Sequence, residues 1–462
     1  MSRSSRPYQK LALFVTTFAL VFGVSHAWAV PAFARKYKTS CTTCHTIFPK
    51  LNPFGEQFRR NGYRFPGVDS DSTKAEPIPL GTDEQKKMFP DAVWPATLTP
   101  FPPLAIGFNG SAVIHPDRSS SAGVADNGAV FNIDNQIEEA HIWAAGSIDD
   151  SITFYGELTF TPNGAEVESG SLFFGDLVGP AHAVNIALGK RGASLTSFAP
   201  HSTYIADMAL PLIPVTALFG ATSDPFNIGD NHNGLEVNGV VGSRFGYAAG
   251  VAAGTNLDTR NSANVYAHVG YKLGGATLDG EETEGDHADH DHMADEQSVT
   301  LDAFAYRSVS RFSDPAMALT KDTAVTLGGA ARLQLGLFEL DTGAYLQSDD
   351  HVLLDSAKVT TISQWNEASW LPYPWLVVAA RVELLRVQLE GSDAVSDLRI
   401  TPGVAALVRP NIRFALTAPI ERASGAPDAG WGGAGLAASP AMPNATVGPE
   451  IEAIELGLFT AF

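Results

Sequence analysis

Both cysteines of the chain fall in one five-residue run, Cys41-Thr42-Thr43-Cys44-His45. Cys-x-x-Cys-His is the attachment pattern of c-type haem. Chemistry explains the spacing. Two thiols add to two vinyl groups on one edge of a porphyrin, and the adjacent histidine offers an imidazole nitrogen to the iron. Three other readings use similar residues. A thioredoxin-like pair needs a surrounding strand–helix–strand pattern, which the flanking sequence lacks. Structural zinc needs a fourth ligand, and residues 30–100 hold no further Cys or His. A plain disulfide leaves His45 a coincidence. One covalent haem c is therefore expected, with Cys41 and Cys44 as thioethers and His45 as the proximal ligand.

The other side of the iron stays open. Met88 is the only methionine between residues 30 and 95, and the next histidine after His45 is His115. The choices are His/Met through Met88, His/His through a distant histidine, or an open sixth site; Met ligation would raise the reduction potential. Met88 is the candidate distal ligand. A second constellation is Asp286-His287-Ala288-Asp289-His290-Asp291-His292. Imidazole and carboxylate suit Zn or Fe(II), so His287, His290 and His292 are candidate divalent-metal ligands. The competing reading is a solvated acidic loop.

These groups need elements to hold them. Arg3, Arg6 and Lys10 precede a 14-residue apolar run, Leu11 to Val24, and then Ala27-Trp28-Ala29. That is a secretory signal peptide over residues 1–29, too short to span a membrane as a helix. Residues 30–95 read as a small, mainly helical cytochrome c domain, for which a covalent haem would serve as a staple. Phe33, Tyr37, Ile47, Phe48, Leu51, Phe54, Phe58 and Tyr63 are its expected apolar bed. Leu51, Phe54 and Phe58 predict a short helix over 52–61. Prolines at 90, 95, 100, 102 and 103 mark a stiff linker, placed at 96–103.

From residue 104 to 462 the pattern changes to strands. Ile454, Leu456, Leu458, Thr460 and Phe462 share one face of the last segment, in near period-two alternation. Similar segments are Leu104–Val113, Ile137–Ile148, Ser151–Thr161, Ala183–Lys190, Leu235–Val241, Tyr247–Ala253, Val265–Tyr271, Val299–Tyr306, Ala324–Leu335, Phe338–Leu346, Val377–Val387, Leu398–Val408 and Ile412–Leu416. A mainly β fold is expected, with a transmembrane barrel of about 16 strands. Tyr155, Phe160, Phe173, Phe174, Phe245, Tyr247, Trp370, Tyr373 and Trp375 are expected to form aromatic girdles at its edges. The tight turn at 409–411 and the long 422–448 loop put the C-terminus at the short-turn, periplasmic end. The small domain would enter there and plug the barrel, and the His/Asp loop falls at the same end. A periplasmic β-sandwich is the soluble alternative.

Charge limits the partners. Of 462 residues, 30 are Lys or Arg and 50 are Asp or Glu, a net charge of −20. Duplex nucleic acid is excluded as a partner, because phosphate binding needs a basic surface. The excess is local: residues 30–95 carry ten basic and seven acidic residues, and residues 96–462 carry 17 and 43. The acidic region would attract divalent cations and basic cytochromes.

Pro31-Ala32-Phe33-Ala34-Arg35, the Cys41–His45 run, Phe48-Pro49-Lys50-Leu51-Asn52-Pro53-Phe54-Gly55 and Asn61-Gly62-Tyr63 together resemble the fused cytochrome–porins of the outer membrane. The best-known members of that family are the iron oxidases of Fe(II)-oxidising bacteria. The resemblance covers about 35 residues by motif and the rest by architecture. It implies a signal peptide, a monohaem cytochrome c domain with Cys41, Cys44 and His45 on the haem, and a porin-like barrel in outer-membrane lipid. The expected function is oxidation of extracellular Fe(II), or another external redox species, with the electron passed to a periplasmic cytochrome or other soluble carrier. Electron export to an external acceptor uses the same parts. A diffusion porin with a haem-bearing plug and a soluble periplasmic redox protein are the remaining classes.

Overall fold

A computed structural model describes residues 32–65, 78–79, 87–88, 97–98, 104–115, 130–132, 139–148, 151–179, 182–198, 231–253, 263–280, 296–312, 320–350, 358–391, 394–424, 450–451 and 454–461. The signal peptide, most of the proline-rich linker and His287, His290 and His292 lie outside these residues. Within the linker region, Thr97–Leu98 pairs with Ile78–Pro79.

The strands close into one antiparallel barrel. Its first four are β1 (Leu104–His115), β2 (Val130–Asn132 continued by Glu139–Ser147), β3 (Ile152–Thr161) and β4 (Gly164–Phe174). Next come β5 (Asn185–Arg191), β6 (His232–Val241), β7 (Phe245–Ala253) and β8 (Ala263–Gly274). They are followed by β9 (Gln297–Phe312), β10 (Thr320–Leu335), β11 (Phe338–Asp349) and β12 (Val359–Tyr373). The last are β13 (Leu376–Leu389), β14 (Val395–Arg409), β15 (Ile412–Thr417 continued by Ile420–Ser424) and β16 (Glu450–Ile451 continued by Ile454–Ala461). With each interrupted strand counted once, the barrel has the expected 16. β16 closes on β1, Ile454 opposite Ile114 and Ala461 opposite Gly107.

Period-two alternation sets which face is which. On β11, Glu339, Asp341, Tyr345, Gln347 and Asp349 turn inward and are buried, while Phe338 and Leu346 turn outward. Leu235, Val269, Leu301, Leu327 and Leu456 are likewise exposed on the outside of their strands. An apolar exterior around a charged, filled interior is the inverse of a soluble protein, and it is what a barrel in lipid requires. The soluble sandwich is thereby replaced by a closed, membrane-spanning barrel. Among the described residues no helix is long and apolar enough to cross a membrane, so the chain crosses by strands.

The connections 242–244, 336–337, 374–375 and 410–411 span two or three residues and share the end that holds Leu104 and Ala461. The long connections 192–231 and 425–449 lie at the opposite end. Phe245, Tyr271, Phe338, Trp370, Tyr373 and Trp375 stand exposed near the short-turn end, in keeping with an aromatic girdle there. Two expected girdle members turn inward instead. Tyr155 stacks on Tyr63 at 4.8 Å, and Phe173 is buried against Gly62. Position in the pleat, not aromatic type, decides the side.

Residues 32–65 sit inside the barrel at the short-turn end. Helix α1 (Ala32–Tyr37), a single 3-10 turn (Cys41–Thr43), a hairpin of His45–Ile47 with Lys50–Leu51, and helix α2 (Pro53–Arg60) make up this insert. The helix expected over 52–61 is α2. Asn52 caps it through a 2.8 Å bond from Gly55 N–H, and Pro53 holds its first position.

Candidate haem-attachment site

The five-residue motif is folded around one tight turn. The Thr43 N–H donates to Ser40 O at 3.2 Å and the Cys44 N–H donates to Cys41 O at 3.3 Å. Cys41 and Cys44 are both free thiols. Burial pushes the Cys44 thiol up to about 12, with Cys41 adding to the effect. Burial raises Cys41 as well. Both therefore stay protonated at neutral pH, unlike the activated thiolates of redox-exchange pairs.

His45 opens the hairpin, and its Nδ1 lies 2.9 Å from Pro49 O. That bond places the ring proton on Nδ1 and leaves Nε2 for a metal, the usual way a protein orients an imidazole ligand. Burial lowers the His45 pKa to about 4, so the ring is neutral and able to ligate. Two reduced thiols and one oriented, neutral imidazole, the second thiol adjacent to the imidazole in sequence, fit a c-type haem.

Asn52 fastens this turn, a role the spacing of the motif does not announce. Its side-chain NH2 donates to Thr42 O at 3.1 Å and Thr43 O at 3.0 Å, and its backbone N–H donates to Cys44 O at 3.0 Å. The same side chain caps α2 through its oxygen. One residue thus ties the thiol-bearing turn to the helix. Gly55 completes the contact: a Cβ there would stand 2.0 Å from Cys44 O. The Asn52-Pro53 pair is a readable helix start, but nothing in its pattern points ten residues back.

The expected apolar bed divides in two. Phe33, Tyr37, Phe54, Phe58 and Tyr63 form one aromatic cluster with Phe65, including Phe33–Phe58 at 4.8 Å and Tyr37–Phe65 at 3.9 Å. Ile47 instead packs into the wall with Leu371, Val377 and Ala379. Phe48 lies between the His45 ring, at 4.9 Å, and Phe459 of β16, at 5.1 Å. Met88 sits on a helical turn and is 70% exposed.

The insert is locked to the wall by polar contacts. Lys50, 1% exposed, bonds Asp341 at 2.9 Å and pairs with Glu339. Arg332 grips Asp341 through two bonds, 2.7 and 2.9 Å, and faces Glu56 of α2 at 3.6 Å. Gln57 donates to Thr277 O, Arg60 to Leu278 O and Ser197 O, and Asn61 to Asp279 O. From the long-loop end, residues 192–198 dip into the same lumen. Ser197 donates to Asp302 by backbone and side chain, and Phe198 lies under the Arg332 guanidinium at 4.3 Å. Between this loop and α2 lies a cavity of about 30 Å³, lined by Glu56, Arg60, Ser197, Lys272, Arg332 and others.

Fold and site together define a class: a membrane-spanning 16-stranded barrel whose lumen holds a Cys-x-x-Cys-His insert. No family model and no curated protein matches the chain. Among solved structures it is similar to an OmpF of Salmonella typhi in complex with daunomycin (12% identity, TM-score 0.49, 78% of this chain and 97% of that one). An anion-selective porin from Comamonas acidovorans gives 12%, 0.48, 78% and 99%. Outer-membrane expressed OmpT of Vibrio cholerae gives 12%, 0.46, 78% and 96%.

Proposed function

We propose that the protein is an electron-transfer barrel of the bacterial outer membrane. It takes one electron from an external donor of the Fe(II) type and hands it to a soluble periplasmic carrier. The observation that carries this reading is the Cys41–His45 turn, held by Asn52 and aimed by Pro49 inside the barrel. A diffusion pore has no use for two free thiols beside an oriented imidazole.

When bound, a haem here would supply a one-electron Fe(III)/Fe(II) couple. Cys41 and Cys44 would hold it covalently and His45 Nε2 would be its proximal ligand. The remaining residues do the protein's share. Asn52 and Gly55 keep the turn in register with α2. Lys50, Arg332, Glu339 and Asp341 fix the insert to β10 and β11. The wall brings the redox site inside an envelope that a donor and a carrier approach from opposite sides, which matters because the hydrocarbon core is about 30 Å thick. Met88 as distal ligand and His287, His290 and His292 as metal ligands remain part of the proposal.

Detergent-purified protein titrated by potential, with spectra of both states, tests the reading. A covalent haem band that Fe(II) reduces supports it; protein that carries haem but stays oxidised in excess Fe(II) overturns the iron donor. The alternative of a porin with a haem-bearing plug is favoured by the barrel itself, and predicts single-channel conductance unaffected by Cys44→Ala.

A further inference from the structure

A line of rings leaves the motif and runs along the inner face of the wall. The His45 ring meets Phe48 edge-on at 4.9 Å, and Phe48 meets Phe459 at 5.1 Å. Phe459 of β16 lies 6.5 Å from Trp143 of β2, and Trp143 stacks on His141 at 5.1 Å with the planes 7° apart. The line ends in a polar group. His141 Nδ1 lies 3.1 Å from Glu157, and His141 Nε2 lies 3.4 Å from Glu139, whose side chain is 36% exposed. Glu139 begins the second part of β2, on the side of the long loops.

A second line reaches the same place. Phe33 stacks on Tyr63, Tyr63 on Tyr155, and the Tyr155 hydroxyl donates to Glu157 at 3.3 Å. The insert therefore touches the Glu139–His141–Glu157 group by two aromatic routes, and only the first starts on the haem-ligand candidate.

Ring packing of this kind has a structural use, since stacked and edge-on rings bury area well. Its order along the line is what packing does not require. Each ring contacts the next, from an iron ligand to a partly open carboxylate–imidazole face. Electron tunnelling weakens steeply with gaps between atoms, so a contiguous path through packed rings carries an electron far better than the same span broken by gaps.

We infer that Trp143, set between Phe459 and His141, is the bridging residue that couples the lumenal face at Glu139, His141 and Glu157 to His45. This rests on the proposed haem function and deepens it. One electron leaves a reduced cationic donor at that face, whose oxidation state rises by one, and a ferric centre at His45 becomes ferrous. No bond forms or breaks and no proton moves. Arg413 lies over the Phe459 ring at 5.9 Å.

The test uses the full haem-loaded protein with Glu139→Cys carrying a thiol-linked ruthenium photosensitiser. Cys41 and Cys44 are consumed as thioethers, so the new thiol takes the label. A light flash injects an electron, and bleaching of the oxidised haem band gives the intramolecular rate. Haem content, midpoint potential and folded-barrel migration on gels are read on every variant. Trp143→Leu and Phe459→Leu are expected to slow the rate severalfold at unchanged potential and haem content, and Trp143→Phe to recover most of it. An unchanged rate in Trp143→Leu overturns the bridge. An equal fall in Trp370→Leu, a lipid-facing ring off the line, overturns it too. Absence of covalent haem in the unsubstituted protein overturns the functional reading first, and the bridge with it.

Discussion

Leu327 on the outer wall and Asn52 in the insert are both single residues in well-ordered elements, yet they hold different amounts of the structure. Leu327 is one of many exposed apolar side chains on alternate positions, and its neighbours repeat its role. Asn52 makes three side-chain hydrogen bonds to three different backbone groups, and no neighbour repeats any of them. The wall is specified by a period and tolerates losses. The insert is specified by individuals, because a short segment inside a lumen has little apolar area of its own and must borrow contacts residue by residue.

The largest expected effect breaks the insert's chemistry and spares the wall. Replacing Cys41 and Cys44 together by alanine should abolish the haem-stained band on denaturing gels, while heat-modifiable migration still reports a folded barrel. A double variant that no longer assembles would mean that insert and wall are one folding unit.

Next comes the lock between them. Arg332→Met leaves buried Asp341 and Glu339 short of a cation, and breaking a buried pair from one side costs about 3–5 kcal/mol. Trypsin should then cut within residues 32–65 of the folded barrel much faster, whereas equal resistance would show that Lys50 alone holds the carboxylates.

Gly55→Ala forces a Cβ into Cys44 O, and overpacking of this sort costs about 1–3 kcal/mol. The expected readout is a lower haem-to-protein ratio in the purified barrel. Asn52→Ala should cost about 1–2 kcal/mol by loss of the cap and raise protease sensitivity of the insert. Asn52→Asp sharpens the assignment, since it keeps the acceptor for Gly55 and removes both donations to Thr42 and Thr43. If Asp behaves like Asn, the cap matters and the tie to the turn does not. At the small end, Leu327→Ala should change thermal stability by less than about 1 kcal/mol; a larger loss would mean that the outer wall also depends on individuals.

This difference explains what the amino-acid order reveals. Fourteen of the 16 strands stand out by alternation. The two that do not are β4 and β12, and each has a reason. On β12 the outward positions include Gln364 and Asn366 between Ile362 and Trp370, so both faces carry polar residues and the contrast fades. On β4 a register shift opposite Glu157 and Leu158 changes which residues face out part-way along the strand. For the site, Cys41, Cys44 and His45 are legible because the covalent attachment proposed for them would fix their spacing. The roles of Asn52, Gly55 and Lys50 are not, since a backbone bond ten residues away, a close approach and an ion pair 291 residues apart leave no periodic trace. The aromatic bed was half legible: ring type marks what is buried, but not whether the burying surface is a neighbour in the insert or a strand of the wall.

The seam of the barrel gives the insert a further meaning. Arg35 bonds the carbonyl of Leu104, the first residue of the first strand, and Phe48 rests on Phe459, near the end of the last. The insert thus clasps the two edges that must find each other for the sheet to become a cylinder. A clasp in that place would tie closure of the cylinder to the seating of the insert, and would leave the cell few empty barrels.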